Sequence, residues 1–269
     1  MPEGNVIHGI ADQFSATFGG RPVHASSPQG RFDASRLDGV VLEGGDAVGK
    51  HLFLDFATAE SVHIHLGLIG KLRFEPLAEP WGQVRLRIHN GVTAADLRGP
   101  QWCRIISPDE RAAVVAASGP DPLREDADPE RGYARVRRSG KSIAALLMDQ
   151  RVSAGVGNIF RAEVLFRNGL DPSIPGREID RRTWDALWAD LVGLMHHAVT
   201  VGAIDTVRDE HGPEAQNRPP RVDAHGGEVY VYRRAGQPCL LCGTPVSIGV
   251  LEGRNMYWCP SCQRGKSAR

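Results

Sequence analysis

The residue types with the clearest chemical meaning sit near the C-terminal end. Four cysteines are spaced Cys239-x2-Cys242-x16-Cys259-x2-Cys262. Two C-x2-C pairs bring four thiolates from two turns to the corners of a tetrahedron, the arrangement of a structural zinc site. Residues 246–257 between the pairs have hairpin length, so the module reads as a zinc β-ribbon carrying one Zn2+ per chain. Such a ribbon either grips a ligand or only staples the tail. Arg254, between the pairs, either reaches a phosphate or is solvated. At the other end, Pro2 and Glu3 follow Met1. Once Met1 is removed, Pro2 is a free secondary amine, which attacks an aldehyde-like carbon to form an iminium. An α-amino group titrates near ~8 against ~10.4 for lysine, so it is more readily unprotonated. Glu3 beside it is placed to move protons. Taken alone, Pro-Glu after Met is common and carries little.

A third candidate is Ala154-Gly155-Val156-Gly157-Asn158, a tight turn between two helical patterns. Asn158 is expected as the N-cap of the second helix, and free N–H groups at a helix start bind phosphate. The glycines are equally explained by helix packing. His63-Ile64-His65 puts two imidazoles on one strand face, but no carboxylate cluster accompanies them and ligation is not expected. His196-His197 points two ways on a helix and is expected at the surface. Cys103, in the apolar run WCRII, is expected as a buried thiol.

The elements that must hold these residues follow from periodicity. Ile7, Ile10, Ala11, Phe14 and Phe18 recur at helical spacing up to Gly19-Gly20. The period then becomes two in residues 51–56, 62–66 and 84–88, which predicts antiparallel strands in a sandwich. Strand signals stop near Gly119, and an acidic, Pro-containing stretch to about Gly132 reads as a linker. Helical patterns follow over 142–150, 159–167 and 180–201, the last with Trp184, Leu187, Trp188, Leu191, Leu194 and Met195 in one stripe. Residues 205–227 read as a long loop.

Formal net charge is zero, from 32 Lys+Arg and 32 Asp+Glu, so bulk charge decides nothing about a nucleic-acid partner. From Tyr230 onward, however, Arg233, Arg234, Arg254, Arg264, Lys266 and Arg269 face one acid, Glu252. The start of the chain has no signal-peptide pattern and no segment has the length of a membrane span, so a cytoplasmic protein is expected. An odd cysteine count in that setting favours metal over disulfides.

In conjunction and in order, these features resemble the Fpg/Nei family of DNA glycosylases, in its endonuclease VIII-like branch. The resemblance runs end to end through MPEG, Gly49-Lys50, His65-Leu66-Gly67-Leu68, Asp96-Leu97-Arg98, Gly119-Pro120-Asp121-Pro122-Leu123, Leu147-Met148-Asp149-Gln150, Gly155-Val156-Gly157-Asn158 and the cysteine ribbon. It implies an α+β, multidomain fold: a two-layered β-sandwich with an N-terminal helix (1–118), a linker (119–137), a helix-two-turn-helix domain (138–227) and a zinc finger (228–269). It further implies a monomer acting on damaged double-stranded DNA, with the damaged nucleotide flipped out of the stack. Pro2 would attack C1′ as Glu3 protonates the ring oxygen and the base leaves, with β,δ-elimination following. Lys50 would contact phosphate and assist proton transfer. Asn158 and Arg254 would hold phosphates, Arg254 also counting among the catalytic residues, and Lys141 would add a contact. Leu68 and Arg98 would face the vacated duplex, although Arg98-Gly99-Pro100 lacks the aromatic wedge of the 8-oxoguanine branch. Pro-Glu-Gly at the start favours oxidised pyrimidines; 8-oxoguanine or formamidopyrimidine specificity on the same fold is the alternative. A non-catalytic zinc-ribbon protein would require Pro2, Glu3 and Lys50 to be bystanders.

Overall fold

Helix α1 (Gly4–Phe18) buries Ile7, Ala11, Phe14 and Phe18 on one stripe, as the sequence spacing predicts. It stops where Gly20 turns to φ 71°. A side chain at Gly19 would put its Cβ 2.4 Å from the Ser15 carbonyl oxygen. The computed structural model describes residues 2–222 and 227–264, and the chain divides into two compact units, Met1–Ala117 and Ser118–Arg269.

In the first unit nine strands follow α1: β1 (Arg21–Pro22), β2 (His24–Ser26), β3 (Val41–Val48), β4 (His51–Phe56), β5 (Ser61–His65), β6 (Lys71–Pro76), β7 (Val84–His89), β8 (Thr93–Arg98) and β9 (Trp102–Ile106). They form a five-stranded sheet ordered β1-β3-β4-β5-β9 and a four-stranded sheet ordered β2-β7-β8-β6. Every pairing within them is antiparallel. Alternate residues Leu52, Leu54, Val62 and Ile64 of one sheet and Leu86, Ile88, Ala95 and Leu97 of the other share a core with α1. The intervening residues His51, Phe53, His63 and His65 face the other way. Against that face lies α2 (Pro108–Ala117), where Val114 and Val115 pack on Val48, Phe53 and Ile106. The sequence reading missed α2, because the helix has no fully buried residue and hence no apolar stripe. Cys103 is half-buried against the core, where burial pushes its thiol up to about 12.

The second unit holds α3 (Pro129–Val136), α4 (Ile143–Met148), α5 (Asn158–Arg167), α6 (Arg181–Val201) and a hairpin of β10 (Ser247–Leu251) and β11 (Arg254–Trp258). Phe160, Val164, Trp184, Leu187, Leu191 and Met195 share one core with Met256, Tyr257 and Cys259 of the hairpin. The stretch read as a linker holds a packed helix. Asp128 caps α3, accepting from Glu130 N at 3.0 Å, and Tyr133 stacks on Trp184. Of its acidic residues Asp121 and Asp128 cap a turn and the helix, and Asp126 and Glu130 pair with Arg124 and Arg181, a composition that mimics a solvated linker. His196 and His197 are exposed.

The loop after α6 is fastened at both feet by Glu163 of α5, a fully buried carboxylate. Glu163 accepts from Thr206 Oγ1 at 2.6 Å and from the backbone N–H groups of Tyr230, Val231 and Tyr232 at 2.7, 2.9 and 2.8 Å. Between the feet, Asp209, Glu214 and Arg218 help line a hollow of about 720 Å³. Residues 223–226 of this loop, and Lys266 and Arg269 of the basic tail, lie outside the described residues. Among the described residues no helix is long and apolar enough to cross a membrane.

Candidate functional site

Pro2 is half-buried and Glu3 is 1% exposed, immediately before α1. Lys50 is half-buried in the turn between β3 and β4, after Gly49 at φ 61°. The packing of α1 on β3 sets their relation. Gly45 lies so close to α1 that a Cβ there would meet the Ala11 carbonyl oxygen at 2.6 Å, and Gly45 N donates to Ser15 Oγ at 2.9 Å. At the far end, Gly20 N donates to the Leu42 carbonyl. From the contacts of Gly45 with Ala11 and Ser15, α1 runs back to Glu3 and β3 runs on to the turn holding Lys50 in the same direction, each by about 10 Å or a little more. Pro2, Glu3 and Lys50 therefore share one end of the sandwich.

Beside Lys50 the outer sheet face carries a stack of imidazoles. His51 Nδ1 and His63 Nε2 are 3.0 Å apart, and the His65 ring lies 4.6 Å from that of Trp102. Burial, then the charges of His65, Arg104 and Lys50, lower the His51 pKa to about 4. Burial and the His51 and Arg104 charges lower that of His63 to about 3. The His51 and His63 rings are neutral at neutral pH and form a mutual hydrogen bond. Among the described residues, only the four cysteines are grouped to hold a metal ion.

Leu68 and Ile69 are 65% and 79% exposed at the tip of the β5–β6 turn. Gly67 at φ 68° and Gly70, where a Cβ would lie 2.2 Å from the Leu66 carbonyl oxygen, make that turn possible. Arg98 is adjacent: a Cβ on Gly99 would touch the Ile69 side chain at 3.9 Å. The guanidinium of Arg98 donates to Asp96 Oδ2 at 2.8 Å and to the Trp81 carbonyl at 3.2 Å. It lies 4.2 Å from the Trp81 ring centre, a cation–π contact. The loop after Arg98 lacks an aromatic, as the sequence reads, yet Trp81 from the β6–β7 connection, 57% exposed, stands beside it. Sequence reasoning missed both Ile69 and Trp81; neighbouring turns bring them to Arg98.

In the second unit three predicted residues converge on the hairpin. Its turn, Glu252 at φ 47° and Gly253 at φ 75°, is the left-handed pair a two-residue hairpin needs. It presents Arg254 exposed at the start of β11. Lys141 Nζ donates to Glu252 Oε1 at 3.0 Å. Asn158 Nδ2 donates to the Asn255 carbonyl at 2.9 Å. Asn158 is the first residue of α5 rather than its N-cap, which is Gly157; its amide bridges to the ribbon instead of folding back on the helix. Below the hairpin the four thiols lie within 4.8 Å of one another, with Cys239–Cys262 and Cys242–Cys259 Sγ separations of 3.9 and 3.5 Å. A tetrahedral zinc with ~2.3 Å bonds requires edges of about 3.8 Å, so the donor set and spacing fit a structural four-thiolate site.

With these groupings in view, the comparisons with known proteins are specific. Residues 1–101 match the formamidopyrimidine-DNA glycosylase N-terminal domain and residues 118–209 the H2TH domain of the same enzymes. Endonuclease 8 1 of Mycobacterium tuberculosis is 47% identical over 271 residues, covering 98% of this chain and 100% of that protein. The chain belongs to the Fpg/Nei family of DNA glycosylases. Another member, formamidopyrimidine-DNA glycosylase of Geobacillus kaustophilus, is 32% identical over 86% of this chain and 84% of its own. The fold is also that of Lactococcus lactis formamidopyrimidine-DNA glycosylase solved with DNA containing an AP site, at TM-score 0.79 and 21% identity over 98% of this chain and 100% of that one. Within the family, identity is higher to the endonuclease 8 relative than to the formamidopyrimidine-DNA glycosylase relative.

Proposed function

We propose that the chain is a bifunctional DNA glycosylase and AP lyase of base excision repair, acting on oxidised bases in double-stranded DNA with pyrimidines preferred. The observation that carries this reading is the shared level of Pro2, Glu3 and Lys50 at one end of the sandwich, reached through the α1–β3 packing. Pro2 nitrogen, free after removal of Met1, forms a bond to C1′ as Glu3 protonates the ring oxygen and the C1′–O4′ bond opens. The glycosidic bond breaks and the base departs. The resulting iminium acidifies the C2′ proton; its removal expels the 3′ phosphate, and a second elimination expels the 5′ phosphate. Lys50 holds phosphate and assists these proton transfers.

Arg254 and Asn158 hold backbone phosphates on the second unit, and Lys141 adds a weaker contact because it shares Glu252. Contacts of this kind position a strand without reading its sequence, which suits an enzyme that reads damage. Leu68 and Arg98, with Ile69 and Trp81, occupy the opened duplex. The four cysteines hold one structural Zn2+, which fixes the hairpin that presents Arg254. The pyrimidine preference is supported by Pro-Glu-Gly at the start and by the higher identity to the endonuclease 8 relative.

Borohydride trapping on duplexes carrying thymine glycol, 8-oxoguanine or an abasic site, with the adducted peptide mapped by mass spectrometry, tests the whole reading. A covalent adduct at Pro2, formed fastest on thymine glycol, is the expected result. Fastest trapping on 8-oxoguanine would move the enzyme to the other specificity. No adduct on any of the three while DNA still binds would leave a non-catalytic DNA-binding protein.

A further inference from the structure

Arg161 is 1% exposed, and nothing in the reading above uses it. It follows Asn158 by three residues on α5, and helical side chains lean toward the helix start. Its guanidinium therefore lies over the Asn158 amide. Nη2 donates to Asn158 Oδ1 and to the Asn255 carbonyl at 3.3 Å; Nη1 reaches the Ala144 carbonyl of α4 at 3.4 Å. The Asn255 carbonyl thus accepts from both Arg161 and Asn158 Nδ2.

We infer that Arg161 is a positioning residue, orienting the Asn158 amide and tying the start of α5 to the ribbon, so that Asn158 and Arg254 meet a DNA backbone as one rigid phosphate clamp. The inference rests on the phosphate-holding reading of those two residues. A guanidinium carries only donors, so it accepts nothing from an amide NH2 and fixes Oδ1 as the side facing it. Nδ2 is then directed the other way. One of its two hydrogens goes to the Asn255 carbonyl, and the second is available to a phosphate oxygen. Asn255 follows Arg254 directly, so the carbonyl that takes two donors from α5 also fixes the backbone that carries Arg254. Without the guanidinium only the Asn255 carbonyl still orients the amide, so flipped states become more populated, and a flipped amide presents a carbonyl oxygen to a phosphate. Arg161 itself is covered by the groups it bonds, so it releases no DNA counterion.

The test is a double-variant cycle on the full-length, zinc-loaded protein, reading affinity for a duplex with a tetrahydrofuran abasic analogue as salt is varied. Asn158→Ala and Arg161→Met are each expected to weaken binding about tenfold. The double variant should lose clearly less affinity than the product of the two single effects, keeping only the part of the Arg161 effect that runs through the Asn255 carbonyl, and the slope of log affinity against log salt should be unchanged by Arg161→Met. A double variant weaker by the product of the two effects, or a slope reduced by about 0.9 as for a lost phosphate contact, overturns the positioning role. Arg161→Lys, which keeps the charge and one donor toward Asn158, should recover part of the lost affinity. It completes the same cycle should the methionine variant lose zinc or fold poorly. Unchanged affinity in Asn158→Ala overturns the phosphate-holding reading and the inference with it. A tenfold loss there with an additive double variant overturns the inference alone.

Discussion

A proline nitrogen inside a peptide bond has its lone pair delocalised into the carbonyl, so the proposed chemistry depends on a single processing event at the terminus. Protein that retains Met1, verified by intact mass, is expected to give no borohydride adduct while still binding DNA. Pro2→Gly, a primary amine at the same place, should give a slower but measurable adduct. Full lyase activity from Met1-retaining protein would rule out Pro2 as nucleophile. The residue scale also shows how far sequence spacing reaches. The four cysteines are legible by their own spacing, because metal geometry dictates it. Pro2, Glu3 and Lys50 gain meaning only in conjunction with motifs elsewhere. Arg161 is illegible: its ribbon partner lies 94 residues away, and an arginine inside a helix otherwise reads as solvated.

At the scale of elements, α5 organises the second unit. Its first turn supplies Asn158, its second supplies Arg161, and Glu163 faces inward to hold both feet of the 205–227 loop. Both carboxylate oxygens are fully used by two donors each. Removing the group takes the acceptor from the buried N–H groups of Tyr230 and Val231 and leaves the Thr206 hydroxyl only the Glu228 carbonyl at 3.3 Å, at about 1–3 kcal/mol for each unsatisfied group before relaxation. Glu163→Ala is therefore expected to destabilise the protein by about 3 kcal/mol or more, and to lower the Tm by roughly 6–12 °C. A thermal melt of the zinc-loaded variant checks this; a Tm within 2 °C of the parent would mean that water takes over the carboxylate's role. The sequence exposed α1, α5 and α6, whose buried faces are long enough to show a period. It did not expose α2, which touches the sheet through two half-buried valines, or α3, whose acidic caps resemble a linker. The hairpin was legible between its cysteine pairs, but not its merger into the helical core, since only tertiary packing joins Met256 and Tyr257 to α5.

At the scale of the whole molecule, a zero net charge coexists with a proposed polyanionic ligand because many acids are engaged structurally. Asp128 and Asp180 cap helices, Asp190 pairs with Arg167 at 2.7 Å, and Asp96 pairs with Arg87 and Arg98. The same internal accounting governs acid stability. His51 and His63 titrate near 6.5 in the unfolded chain but at about 4 and about 3 in the fold. As pH falls below 6.5 the unfolded chain takes up these protons first, so stability is lost progressively toward pH 4 and is fully present above 6.5. Capping and paired carboxylates such as Asp149 and Asp180, held below the usual range by hydrogen bonds from Arg151 and Thr183, act only in a lower window, near pH 4 and below. The expected profile is a Tm that is level from pH 8 to 7 and declines between 6.5 and 4.5, before the carboxylates contribute. His63→Phe, which keeps an aromatic ring against Phe53 and Trp102 but cannot titrate, should flatten the upper part of that decline. A parent Tm that is level from pH 6.5 to 4.5 would mean that the fold does not hold the imidazoles neutral, and the lysine beside them would then share its site with a second charge.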